Sequence, residues 1–226
     1  MQSLLTPQSL AATAAAFSLS ISASAELILI DATTNNGSFE LAGGVLNTTK
    51  IQEWDGTPDI DHWTNWDATF GGDSSANNDS GVEDVDGPNG ASDGEMLAFM
   101  QPGNDVFNLT TYVAQVGDVF TFSWDKVDRK NAQHTVSLIF DDGGTITSVA
   151  ASAVTTDALN DAPFTYMGSY TVQAGDAIVG KAVGLGVEND LAQFPAIDNF
   201  QLTVVPEPGS LVLLGLGAVA VFRRRR

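Results

Sequence analysis

The chain has 226 residues, no cysteine and a formal net charge of −19. The missing cysteines exclude disulfides and thiol catalysis. The charge excludes nucleic acid as a partner, since phosphates need lysine and arginine, and leaves cations such as calcium as the ions this surface attracts.

Residues 1–25 read as a signal peptide. Ala11 to Ile21 is mostly small and apolar, and Ala23-Ser24-Ala25 has the small-x-small pattern of a cleavage site. No lysine or arginine precedes Lys50, so the positive opening of a leader is missing. A misplaced start codon or an ordinary Ala-rich helix are the alternatives.

Residues 26–205 are long enough to bury one core and are expected to form one domain. Five basic residues (Lys50, Lys126, Arg129, Lys130 and Lys181) stand against 27 acidic ones there, a net of −22. Short runs of period-two alternation recur between Gly, Asn, Asp and Pro, with no long helical periodicity. Strands are expected at Leu27–Ile30, Ser38–Leu41, Met96–Met100 and Phe107–Val113. Phe120, Phe122 and Trp124 then share one strand face, with Thr121, Ser123 and Asp125 on the other. Val136, Leu138 and Phe140 repeat the pattern up to the turn Asp141-Asp142-Gly143-Gly144. Thr145–Ala150, Phe164–Val172 and Ala177–Val187 follow, and Phe200, Leu202 and Val204 close the series. About ten short strands without helices imply an all-β, antiparallel two-sheet sandwich. No tandem repeat appears.

The stretch from Asp55 to Gly94 reads as long loops with one strand near Trp63. Trp54, Trp63 and Trp66 cluster there, and Trp63 and Trp66 are the candidate ligand-binding residues: aromatic faces suit the C–H side of a pyranose, and nearby Asp and Asn accept its hydroxyls. The bland alternative is that they plug one end of the core. The run Asp73, Asn77, Asn78, Asp79, Glu83, Asp84, Asp86 lacks the spacing of a calcium loop and reads as a solvated acidic loop. Catalysis finds little support. The only histidines are His62, in the loop region, and His134, at the start of a strand and facing outward. Nucleophile-elbow, metalloprotease and phosphate-loop motifs are all absent. Acidic pairs such as Glu53 and Asp55 arise by chance among so many carboxylates. A non-enzyme is the expectation.

The C-terminus has three parts. Pro206-Glu207-Pro208 cannot continue a strand or helix, so it is extended and accessible. Leu211–Phe222 is apolar and uncharged; as a short helix it would span about 18 Å, less than a hydrocarbon core of about 30 Å. Arg223, Arg224, Arg225 and Arg226 hold the far end in the cytoplasm, which puts the body outside. This order of parts resembles the PEP-CTERM sorting signal, over residues 206–226. The resemblance implies processing by exosortase, a membrane protease, with Pro206, Glu207 and Pro208 as the recognition residues. It further implies export by the general secretion machinery, a transient stay in the inner membrane, and delivery to the cell surface or extracellular matrix.

The body is similar to galactose-binding-like jelly rolls, the fold of many carbohydrate-binding modules. Asn36-Gly37-Ser38-Phe39-Glu40, Val116 to Ser123 and Ala196 to Leu202 carry the likeness. In such folds the first and last strands lie near each other and a structural calcium often bridges them, which makes Glu40 and Asp198 its candidate ligands here, with carbonyls near Asn36 to Ser38. Strand parity independently puts Asp198 on the side of Phe200, Leu202 and Val204. If those face the core, its carboxylate is buried there or at the core's edge. Two functions follow: an exported, exosortase-sorted surface or matrix protein with a non-catalytic domain, or the same scaffold binding an extracellular polysaccharide.

Overall fold

The computed structural model describes residues 24–40, 52–53, 62–66, 81–84, 90–94, 96–100, 105–127, 132–157, 164–189 and 195–207. The described strands are β1 (Leu27–Ile30), β2 (Gln52–Glu53), β3 (Trp63–Asn65), β4 (Gly81–Asp84), β5 (Met96–Phe99), β6 (Val106–Val113), β7 (Val119–Val127), β8 (Thr135–Asp141), β9 (Ile146–Ser148), β10 (Val154–Thr155), β11 (Phe164–Thr171), β12 (Ala182–Glu188) and β13 (Ala196–Val205). They make two antiparallel sheets. The first runs β11-β7-β13-β5-β4-β2, with β1 also on β13; the second runs β10-β8-β12-β6-β3, with β9 on β8. The sandwich expected from the alternation is therefore present.

The alternation works as expected where it is strongest. Phe120, Phe122 and Trp124 on β7, Val136, Leu138 and Phe140 on β8, and Phe200, Leu202 and Val204 on β13 all enter one core between the sheets. Two expected strands differ. Over Ser38–Leu41 the described residues 38–40 form no strand: 31–39 is a tight turn series, and Asn35, Asn36 and Phe39 have positive φ, a region β-strands avoid; Leu41 lies outside the described residues. Residues 177–180 are turn, and β12 starts only at Ala182. β4 lies in the stretch read as loop, and β2, just before that stretch, is not among the expected strands; Gly81-Val82-Glu83-Asp84 has almost no apolar alternation, and its strand rests on ladder bonds to β5. The C-terminal apolar helix expected over 211–222 lies outside the described residues.

β13 organises the first sheet. β7 pairs along one edge, while β5 and β1 share the other. Its register with β7 slips between Asp198 and Gln201, and Asn199 there has φ +52°. This bulge lets Ile197 and Phe200, three residues apart, both enter the core. Gly37 O accepts the Phe200 N–H at 2.8 Å, so the 31–39 turn supplies an acceptor beside the bulge.

The bulge also corrects the parity reading of Asp198. Asp198 pairs with Asp125 and follows Ala196 by two, and Ala196 packs with Leu97, Val127 and Ala91 on the sheet's outer side. Its carboxylate is fully buried, but beneath residues 91–93 rather than between the sheets. Oδ2 accepts Ser92 N at 2.7 Å, Ser92 Oγ at 3.1 Å and Asp93 N at 2.9 Å; Oδ1 accepts Asn199 N at 2.6 Å.

His134 also differs from its outward expectation. It is 1% exposed. Its Nε2 accepts the Trp124 indole N–H at 2.7 Å, so the ring is neutral with its proton on Nδ1, 3.4 Å from Thr156 Oγ1.

These two buried groups titrate in opposite senses. Burial, then the charge of Lys126, pushes His134 down from 6.5 to about 3. Below pH 6.5 the unfolded chain takes up a proton that the folded chain refuses, so this residue makes stability fall with falling pH. Burial pushes Asp198 up from 3.8 to about 7, against its hydrogen bonds to Asp93, Asn199 and Ser92. The folded chain keeps that proton longer, so this residue makes stability fall as pH rises from 3.8 toward 7. Each slope is about 1.4 kcal/mol per pH unit, and they oppose between roughly pH 4 and 6.5. Urea melts across that range will show His134→Gln losing stability toward neutral pH and Asp198→Asn losing it toward acid, each relative to wild type. Curves parallel to wild type would refute the assignment.

Candidate functional site

The two candidate tryptophans have separate places. Trp63, on β3, is 0% exposed. Its indole N–H donates to Asn36 O at 2.9 Å, and its ring lies 5.0 Å from Phe39 and 5.0 Å from Phe200. A ring so enclosed has no face left for a ligand, so Trp63 belongs to the core. The bland reading of the sequence holds for it. Trp66, just past β3, is half-buried on the other side of the same sheet. Its backbone N–H donates to Asp105 O at 2.7 Å, and its indole lies over Gly186, where an added methyl would meet ring carbon Cζ3 at 2.5 Å. Phe107 meets it edge-on at 6.4 Å. Ser137, Gly186, Phe107 and Thr64 make one cross-strand row beneath it. Ser137 is buried, and its Oγ has no hydrogen-bond partner among the described residues. Trp54 lies outside the described residues.

Glu40 and Asp198 grip the same segment from two ends. Glu40 Oε1 accepts Met96 N at 2.7 Å, and its carboxylate lies against Gly94, while Asp198 holds Ser92 and Asp93. Calcium takes about six to eight oxygen ligands. Around Asp198 the neighbours are N–H and O–H groups with protons pointing inward, an environment for an anion. The carbonyls expected to help are also engaged: Asn36 O accepts from Trp63 and Phe39, and Gly37 O from Phe200. Among the described residues no three His, Asp or Glu side chains come together as a metal site. The donor set does not fit calcium here. Backbone amides take the cation's part in neutralising the carboxylate. The acidic run 73–80 and 85–89 is outside the described residues.

At the opposite end of β13, two turns share one construction. In the first, Asp118 Oδ2 accepts Tyr112 OH at 2.9 Å and Gln115 N at 2.8 Å. In the second, Asp176 Oδ2 accepts Tyr170 OH at 2.7 Å and Gln173 N at 2.6 Å. Each aspartate follows a glycine in the left-handed region, Gly117 at φ +91° and Gly175 at φ +96°, where other residues are strained. Burial, then the adjacent carboxylate, pushes both phenols up, Tyr170 to about 12. The turns are joined by Gly117 N to Val172 O and Val172 N to Asp118 O, both 2.9 Å. The sequence holds the signal, Tyr-x-x-Gln-x-Gly-Asp at 112–118 and again at 170–176, but as two separated turns rather than a tandem repeat.

The tail leaves the fold beside the first turn. β13 pairs through Val205, opposite Val119. Pro206 has no N–H to extend the ladder. The next donor, Glu207 N, bonds Asp118 Oδ1 at 3.2 Å. Pro208, the run 211–222 and Arg223 to Arg226 are outside the described residues. Among the described residues, no helix is long and apolar enough to cross a membrane.

Solved structures with this fold include the Stig cyclase Fisc from Fischerella sp. TAU in complex with an indole compound. It has a TM-score of 0.61 and 16% identity, covering 80% of this chain and 99% of that one. An apo cyclase from Fischerella sp. gives 0.61 at 17% identity, over 81% and 97%. The CBM22-1 xylan-binding domain of Paenibacillus barcinonensis Xyn10C gives 0.46 at 16%, over 82% and 99%. At such identities the likeness to the two cyclases concerns the fold alone. A search of curated sequences finds no match. The remaining match is at the C-terminus, where residues 204–226 carry the PEP-CTERM protein-sorting motif, which marks the protein for export and exosortase processing.

Proposed function

We propose that this is a cell-surface or matrix protein whose non-catalytic sandwich is exported behind a cleaved leader and released from the inner membrane when exosortase removes the tail. The motif over 204–226 carries the reading. Further support comes from the fold. The last strand runs into the motif and pairs with β7 through Val205, so the described core is built from residues ahead of Pro206. The non-catalytic part rests on what is engaged. His134 spends both ring nitrogens inside the core, and the carboxylates of Asp118, Asp176 and Asp198 are engaged by backbone amides and hydroxyls. Calcium is not needed for this reading.

A second reading is favoured by one observation, the half-buried Trp66 ring over the Gly186 floor of the outer sheet face. Such a ring is a stacking surface for an extracellular polysaccharide.

Mass spectrometry of the protein recovered from its native cells will give both termini: a start near Glu26 and an end within or just past Pro206-Glu207-Pro208. A chain still ending in Arg223 to Arg226 and confined to the cytosol would overturn the sorting reading. For the second reading, affinity electrophoresis in the host's own polysaccharide separates the tryptophans. Trp66→Ala loses the retardation and keeps the fold. Trp63→Ala loses about 3–5 kcal/mol of stability instead, as deletion of a buried aromatic does. Unchanged retardation in Trp66→Ala would end the glycan reading.

A further inference from the structure

The two turns at the tail-exit end share their tyrosine and glutamine bonds and differ in what the tail adds. Both aspartates hold a tyrosine hydroxyl and a glutamine amide through Oδ2. Only Asp118 receives a further donor from the tail, the Glu207 N–H, on Oδ1. The glycines differ in the same way. A methyl on Gly175 would meet nothing within 4 Å, whereas one on Gly117 would strike Glu207 at Cδ (2.6 Å), Cγ (2.8 Å) and Oε2 (2.9 Å). The acidic residue of the sorting motif thus has its amide tied to one turn residue and its side chain laid on the other.

We propose that the Gly117–Asp118 turn is a clip that docks Glu207 on the folded body and slows its transfer to exosortase; the slowing rests on the sorting reading above. A protease that reads Pro-Glu-Pro must take the Glu207 backbone and carboxylate into its own cleft. The clip occupies the backbone donor and covers one side of the side chain, so only the undocked fraction is substrate. The apparent affinity for the protease falls by that fraction. Pro206 ends the ladder and Pro208 keeps Glu207 extended, so the bond to Asp118 is the first hold on the chain beyond β13. Folding makes the clip, because Asp118 is positioned by Tyr112 and Gln115 and joined to the second turn at Val172. An unfolded body would offer its tail without this restraint, and a folded one offers it more slowly.

The second turn supplies the control. Gly117→Ala and Gly175→Ala impose the same left-handed strain, but only the first displaces Glu207. In a pulse-chase in the native host, Gly117→Ala should lose its tail about fivefold faster than Gly175→Ala, the weight of roughly one net hydrogen bond. Equal or slower loss overturns the slowing. A measurement without exosortase reads the clip itself: amide hydrogen exchange at Glu207 in the full-length chain held in detergent micelles. Exchange should quicken at least about fivefold in Asp118→Ala and stay unchanged in Asp176→Ala. An unprotected Glu207 amide in wild type, or equal rates in both variants, overturns the clip. A wild-type tail that is never removed overturns the sorting reading and the slowing together, and exchange then decides the clip alone.

Discussion

The bulge at Asn199 is the constraint from which most of this structure follows. An unbroken strand allows one side chain in two to face the core. By inserting a residue between Asp198 and Gln201, β13 keeps both Ile197 and Phe200 inside and turns Asp198 to the other side. Two segments then have to answer for what the bulge leaves open. The 31–39 turn brings Gly37 O to Phe200 N, and Trp63 closes over that turn through Asn36 O. On the far side, residues 92–93 donate their amides to Asp198. A buried carboxylate without such donors costs several kcal/mol or takes up a proton. Here amides and burial pull in opposite directions, and burial prevails in setting its pKa.

The fold was legible where one side chain in two is apolar. β7, β8 and the outer half of β13 carry Phe, Leu, Val or Trp at every second position, and that pattern alone places them. It was illegible where the backbone, not the side chain, decides. β4 has only Val82 to mark it. Positive φ at Asn35, Asn36 and Phe39 turns an apparent strand into a plug, and nothing in Ser38-Phe39-Glu40 announces that. Parity is a count along the chain, and one extra residue inverts it, so Asp198 was rightly expected to be buried but on the wrong side. Trp63 and Trp66 sit three apart, yet β3 and its end put them on opposite sides of one sheet. Composition cannot separate a core ring from a surface ring. The Tyr-x-x-Gln-x-Gly-Asp pair was readable in principle, since each member has a bonding role, but it repeats at corners rather than along a solenoid.

The overall acidity is managed locally. Many described carboxylates are spent on turns: Asp31 on Thr33 and Thr34, Asp118 on Gln115, Asp141 on Gly144, Asp176 on Gln173. Each satisfies amides that the end of a strand would leave without a partner. With few lysines and arginines to pair with, the body uses its negative groups as acceptors for its own backbone. Lys181 meets a carboxylate directly, at Asp142, 2.8 Å. Its ammonium also stands 4.7 Å above the Phe140 ring.

The strand that ends in the tail is flanked on both edges, by β7 along its length and by β1 near its end. Ladder bonds run across a strand, so a pull applied at Pro206 along β13 loads many of them side by side instead of opening them one after another. Whatever draws on the tail therefore works against a strand that is held on both edges. The fold is built to resist extraction by its own handle, and a cut in that handle is an easier way to release it than a tug.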